Sequence, residues 1–498
     1  MHNQGPGIEG IREGAGQRVA TGQRPAERQG MYGLAPAAFF VGLAFFMAYF
    51  VTHFSAYFVV AAMIALLLGM ILSKDLQRGM FLYICIAALA FGESPQVQSS
   101  TGRYGAGIMP SQLLLAFIAV LWIGRMFFMQ ERARLVYSRL NLPFILLGVS
   151  SIISFIVANT LNPPAGLLIH QKLITQVAEM GLLFCSILAF ILSTNLFHDM
   201  RWINLAFAPM ILLGLYTATW SVTDFAMPAQ VLWPTLLLSI SAALVYARLL
   251  FKYPGGVRGI LLLAVFLFMI IGIAVDATWA SGITATTVMV LVISAYKSRL
   301  LSAGIAAAVL VVLFVYPGVF PSMVAEALSS GDFDRFIIWR DALNMLVHVN
   351  PITGVGPGNY YAYIYDYSTV WYGINTYITA HNNYIQFAAE LGIVGITLLL
   401  WVIAAGIRTG MDNVRRALPE IRWFCIAGTG IFAGIAVAAV LGDYLLPNRA
   451  NNGIITFGTA VYTWVILGAG VAVANIKKDS DGEKDERLVH SNSKLEHK

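Results

Sequence analysis

The chain has 498 residues, of which 58% are apolar or aromatic and only 11% charged, with a formal net charge of +6. A water-soluble domain carries about 25% charged and about 45–50% apolar residues, and a mean hydropathy of +0.73 leaves too little polar side chain to coat a water-facing surface of this size. The composition therefore excludes a soluble multidomain enzyme. The dispersed basic residues, with the aromatics held in apolar runs, also argue against a nucleic-acid partner.

Residues 1–33 are rich in Gly, Arg and Gln, have no apolar signal-peptide core, and read as a disordered cytosolic tail. Apolar segments then run near 34–51, 55–73, 79–92, 110–129, 142–159, 173–194, 202–220, 231–250, 260–275, 284–296 and 301–317. After a long, more polar stretch come 391–407, 424–442 and 454–474. At roughly 20 residues per spanning helix, the expected fold is an all-α polytopic membrane protein with about 12–14 transmembrane helices. Residues 34–317 form a transmembrane bundle, 318–390 one large outer loop between the eleventh and twelfth predicted helices, 391–476 the C-terminal helices and 477–498 a second cytosolic tail. With the N-terminus in the cytosol, every Lys and Arg falls on the cytosolic side except Arg103, Lys172, Arg335, Arg340 and Arg449. Losing one helix would reverse every later loop and abolish this asymmetry, so the positive-inside rule supports both termini in the cytosol. Cys85, Cys185 and Cys425 lie within the apolar segments, at spacings that suit neither a disulfide framework nor a metal site.

Loops as long as 318–390 are usually functional. Within this one, Phe336, Trp339, Leu343, Leu346 and Val347 recur at helical spacing, which predicts an amphipathic helix over 334–349 lying along the outer membrane surface. It should stop at Asn350-Pro351, because the residue before proline avoids the α region.

Candidate chemistry concentrates in the same loop. The guanidinium forks of Arg335, Arg340 and Arg449 match phosphate oxygens; the alternative for each is snorkelling or pairing with a nearby carboxylate such as Asp332, Asp334 or Asp443. His381 opens the segment HNNYIQFAAELGIVG (381–395), whose helix Asn382 or Asn383 can cap. The positive end of that helix dipole disfavours an imidazolium, and a neutral imidazole on the water side of a membrane suits a general base for a sugar hydroxyl; otherwise His381 is an interfacial hydrogen-bonding group. Tyr360, Tyr361, Tyr363, Tyr365, Tyr367, Tyr372, Tyr377 and Tyr384 place eight of the 21 tyrosines in one short stretch. They can stack on sugar faces or form an aromatic belt at the bilayer surface. Gly354, Gly356 and Gly358 read as a tight turn, since no Lys-Ser/Thr follows them as a nucleotide loop requires. Asp332-x-Asp334 could suggest a metal-assisted nucleotide-sugar transferase, but nucleotide sugars are cytosolic and the pair is external. No metal or cofactor is expected.

Three stretches, RFIIWRDAL (335–343), PITGVGPGNY (351–360) and HNNYIQFAAELGIVG (381–395), resemble in order, spacing and membrane side the O-antigen ligase and polymerase superfamily of bacterial membrane glycosyltransferases. The resemblance implies a GT-C-like, metal-independent enzyme of the bacterial inner membrane with a periplasmic site. Its donor would be a glycan on undecaprenyl pyrophosphate, and its acceptor a second lipid-linked glycan (polymerase) or lipid A-core (ligase). It further implies that His381 activates the acceptor hydroxyl and Arg335 binds the departing pyrophosphate, with Arg340, Arg449, Lys172, Tyr360, Tyr361, Asn382 and Tyr384 as substrate-binding candidates. One departure stands out. Where ligases of this family often carry a second external Arg in a Ser-Arg-Gly-type segment, DATWASGITATT (276–287) has Ser281 and Gly282 but no Arg. This tilts the expectation toward a polymerase, with a ligase, and a polysaccharide or lipid transporter or flippase, as alternatives.

Overall fold

The computed structural model describes residues 75–87, 89–90, 110–128, 135–161, 173–223, 230–231, 234–275, 280–315, 325, 329–330, 333–369, 379–446 and 458–475. The predicted segments 34–51 and 55–73 and both tails lie outside these residues, as do Arg449, Lys172, Tyr372 and Tyr377. By contacts the chain divides into two units, Met1–Met70 with Arg125–Glu131, and Ile71–Gly124 with Arg132–Lys498. The second unit holds the candidate site.

The described residues form helices: α1 Leu76–Ala87, α2 Pro110–Phe128, α3 Asn141–Thr160, α4 Leu173–Leu196, α5 Met200–Thr223, α6 Pro234–Phe251, α7 Gly256–Val275, α8 Ala280–Lys297, α9 Arg299–Val315, α10 Arg335–Val349, α11 Tyr360–Tyr367, α12 Asn383–Arg416 and α13 Arg422–Ala438. A last helix, α14, spans Gly458–Asn475. Two antiparallel pairs of two-residue strands, Leu89–Ala90 with Gln230–Val231 and Ser329–Ser330 with Phe333–Asp334, pin loops. Seven helices (in α3, α4, α5, α7, α8, α12 and α14) are long and apolar enough to cross a membrane, and α1, α2, α6, α9 and α13 are shorter apolar helices. The fold is that of an all-α polytopic membrane protein. Its surface agrees: Leu142, Ile145, Val149, Ile152 and Ile156 on α3 are all exposed, and no residue of α9 is buried. Such faces need a hydrocarbon solvent.

The main core gathers around α13, which packs between α8 and α12. Lipid tails are as apolar as leucine, so helices associate in a membrane by close packing, and small residues at four-residue spacing provide it here. A Cβ on Gly434 would lie 2.6 Å from the Ala285 carbonyl oxygen of α8, and one on Gly430 3.1 Å from that of Met289. Gly406 and Gly410 of α12 likewise leave room only for Phe432 and Thr429 of α13.

The segment between α10 and α11 is stitched into a break in α12. At Gly392 the backbone leaves helical geometry (φ 68°, ψ −166°). A continuous helix would bond the Ile393 and Val394 N–H groups to the carbonyls of Ala389 and Glu390. Instead Ile393 donates to the Pro351 carbonyl (2.9 Å) and Val394 to that of Ile352 (3.4 Å), while the stranded carbonyls of Ala389 and Glu390 accept from Val355 (3.0 Å) and Gly356 (2.9 Å). Ser154 Oγ of α3 closes the seam, bonding to the carbonyls of Thr353 (2.6 Å) and Glu390 (2.9 Å). The glycines serve this contact: Gly354 has φ 71°, and a Cβ there would collide with the Glu390 carbonyl.

Helix α10 begins one residue after the predicted start and stops before Asn350-Pro351, where Asn350 Oδ1 accepts from Ile352 and Thr353 N–H. Of its predicted apolar stripe, Phe336, Leu343 and Val347 are exposed, and the buried face is instead Ile338, Asp341, Ala342 and Met345. The inner face joins Val355, Tyr360, Tyr361, Tyr363, Ile364, Ala380 and Ala389 in a small core of its own.

Gly392→Ala should lower the stability of the purified protein by at least about 1–2 kcal/mol, because the new Cβ both disfavours the positive φ and collides with the Ile352 carbonyl. Thermal unfolding in detergent checks it; an unchanged Tm would mean that the seam does not need the glycine.

Candidate active site

His381 lies between two clamped residues. Before it, the Ala380 carbonyl accepts from Trp339 Nε1 of α10 (2.7 Å) and the Ala380 N–H donates to Gln386 Oε1 (3.1 Å). After it, Asn382 caps α12, its Oδ1 accepting from Tyr384 N–H (2.9 Å) and Ile385 N–H (3.2 Å). Between them the His381 backbone takes φ 43°, the one positive φ on a non-glycine among the described residues. That conformation costs a residue with a Cβ about 1 kcal/mol, and persists because its neighbours on both sides are held.

Arg335, the first residue of α10, approaches the same place. Its Nη1 donates to the Leu441 carbonyl (2.9 Å) in the turn after α13, and its guanidinium acts electrostatically on the imidazole. Burial first, and Arg335 second, push His381 down from its ordinary value to about 4. The sequence points to the helix dipole as the reason for a neutral imidazole; in the structure burial and a neighbouring cation produce it. A neutral His beside a fixed cation can accept a proton from a hydroxyl while the cation faces an anion.

The turn that holds Arg335 is held in turn by Asn383. Its Nδ2 donates to the Leu446 carbonyl (2.6 Å) and to Asp443 Oδ1 (3.4 Å), and its Oδ1 accepts from the N–H groups of Leu445 (3.0 Å) and Leu446 (3.2 Å). The Asn383 N–H donates to the Ala439 carbonyl, and Tyr384 OH to that of Ala436. Ser281 Oγ at the start of α8 meets Tyr444 OH at 2.7 Å, so the Ser281-Gly282 segment abuts the Arg335 turn without contributing an arginine. None of these ties is visible in the sequence. The doubled Asn382-Asn383 is the one local signal, since only one of the two can cap.

The other candidates divide. Arg340 lies five residues beyond Arg335, about 140° around the helix; its guanidinium turns to Asp341 Oδ1 (3.3 Å) and Thr369 Oγ1 and stays 62% exposed. Arg340 is thus directed away from the Arg335–His381 pair rather than joining it. Tyr360 and Tyr361 are 1% and 6% exposed, core rings packed with Ile338 and Met345 with no open face for a sugar, and this corrects the stacking role expected of them. Asn382 is a cap and Tyr384 a tie to α13. A small cleft opens beside the seam, lined by Ser151, Glu179, Met180, Leu183, Pro357, Phe387, Glu390, Leu391 and Leu446. Neither His381 nor Arg335 lines it.

The far end of α12 carries polar contacts of another kind: Arg139 pairs with Asp412 (2.7 Å), and the Lys252 ammonium reaches the Glu420 carbonyl. The His381–Arg335 site and these contacts therefore lie at opposite ends of one long helix.

Asn383→Ala removes four side-chain bonds and strands two buried N–H groups and a carbonyl, at about 1–3 kcal/mol for each unsatisfied group. A loss on the order of 3 kcal/mol should appear as a lower unfolding temperature in detergent. Unchanged stability would show that the turn stands without Asn383.

No curated protein matches the chain. A family described as O-antigen ligase matches residues 235–400, from α6 through α10 and α11 to the break in α12, and so includes both Arg335 and His381. About a third of the chain, the part that carries the candidate site, is thus similar to the O-antigen ligase family.

Proposed function

We propose that the protein is a membrane glycosyltransferase that uses an undecaprenyl-pyrophosphate-linked glycan at the periplasmic face of the bacterial inner membrane and polymerises polysaccharide repeat units. The observation that carries this reading is the half-buried, neutral His381 in a strained peptide beside Arg335, within the stretch that matches the family. His381 takes the proton of the acceptor hydroxyl as its oxygen bonds to the anomeric carbon of the donor. The bond from that carbon to the pyrophosphate breaks, and the electron pair leaves with the carrier lipid's pyrophosphate, whose charge Arg335 stabilises. Pyrophosphate is already a good leaving group, so placing the two substrates does much of the remaining work. The ligase alternative has the same requirements at the reacting atoms and differs in the acceptor; the missing arginine at Ser281-Gly282 supports the polymerase.

Purified protein given a lipid-linked repeat unit alone should build a ladder of polymers; a strict requirement for lipid A-core would assign it as a ligase, and no transfer to either would refute the proposal. His381→Ala should abolish product while the protein remains in the membrane. Arg335→Ala should be comparably severe, and Arg335→Lys should recover only part of the rate because the fork is lost. A base that must be neutral and has a pKa of about 4 loses activity as pH falls through that value, so the rate should hold from about pH 7 down to about pH 5.

A further inference from the structure

The strained His381 peptide is held by a relay that reaches back to the glycine turn. Gln386, one turn into α12 and 1% exposed, accepts from the Ala380 N–H through Oε1 (3.1 Å) and donates through Nε2 to Glu390 Oε1 (2.7 Å). The Glu390 carboxylate also accepts from the backbone N–H groups of Gly358 and Tyr360. Each bond fixes the sense of the next. A backbone N–H can only donate, so Ala380 takes the amide oxygen of Gln386 and turns the amide nitrogen toward Glu390. On the other side of the same peptide, Trp339 Nε1 holds the Ala380 carbonyl. Both polar groups of Ala380 are thereby engaged by side chains from two different helices, immediately before a residue whose φ is 43°.

We propose that Gln386 is a positioning residue for His381, with Glu390 as its partner: together they hold the Ala380 peptide so that the imidazole keeps its half-buried place beside Arg335. This rests on the reading of His381 as the base. Gln386 touches neither substrate nor the reacting atoms. Its neutrality matters, because a carboxylate at 386 would face Glu390 and could not donate to it. Misplacing a catalytic group by an ångström can cost on the order of 100-fold in rate.

Of the charged groups on the packed elements, Arg335 of α10 lies beside the imidazole, Arg340 and Asp341 of α10 pair with each other, Glu390 of α12 holds Gln386, and Asp443 in the turn after α13 acts on Glu390. Of these, Arg335 is the one that acts on the imidazole. When the Ala380 peptide is released, the imidazole moves toward water and away from Arg335, and both changes raise its pKa toward the ordinary histidine value. The test is the pH profile of glycan transfer by purified full-length protein with a lipid-linked repeat unit as donor and acceptor, for wild type, Gln386→Ala and Trp339→Phe, with His381→Ala as control. Gln386→Ala is expected to lose about 10- to 100-fold in kcat and to shift its acidic limb upward by about one pH unit or more. Trp339→Phe, which loses the bond on the other side of Ala380, should move the limb in the same direction and keeps the test decisive if Gln386→Ala does not fold. A wild-type limb in the variants that fold, whatever their rate, overturns the positioning role, since a merely structural loss lowers the active fraction without moving a pKa. An active His381→Ala overturns the base itself, which separates the two failures.

Discussion

Four backbone hydrogen bonds exchanged across the break in α12 organise the region that holds the candidate site. Where Gly392 interrupts the helix, two N–H groups and two carbonyls lose their partners, and the Pro351–Gly356 segment supplies all four. In a membrane, unpaired peptide groups would cost several kcal/mol each, so neither partner can keep its conformation without the other. The Pro-x-x-Gly-Val-Gly segment and the Ala-Glu-Leu-Gly segment are therefore two halves of one structural unit, although they are well separated along the chain. Arg335 at the start of α10 and His381 just before α12 meet near this seam.

The site then depends on the turn after α13. That turn offers the Leu441 carbonyl to Arg335 and takes four bonds from Asn383. The cation and the imidazole are thus positioned from one reference, the top of α13. Such an arrangement keeps two groups close that would otherwise drift apart, since a guanidinium next to a half-buried imidazole disfavours the protonated ring.

How much is legible in the sequence depends on how local each cause is. The helices of the bundle are set by runs of apolar residues, and the ends of α10 and the Asn382 cap by residues within a turn of the break they make; all of these are legible. The role of the tyrosines is not, because composition cannot tell a ring facing sugar from one packed on Ile338 and Met345. The inner face of α10 is carried by Ile338, Asp341, Ala342 and Met345 rather than by the larger apolar residues of its stripe, an order that periodicity alone does not rank. Backbone pairing between 351–356 and 389–394 leaves almost no side-chain signature beyond glycine, and the Asn383 ties span 60 residues or more. Relations of that kind arise only when the chain has folded.

The glycine contacts of α13 carry a last implication. Because Gly430 and Gly434 bring its backbone directly against α8, and Phe432 and Thr429 lock into Gly406 and Gly410 of α12, α13 acts as a ruler whose zero is deep in the membrane and whose tip is the carbonyl of Leu441. One residue added to the helix between Gly434 and Ala438 would raise that tip by about 1.5 Å and swing it by about 100°. Away from its glycines, a substitution on α13 therefore disturbs the site less than an insertion or deletion would.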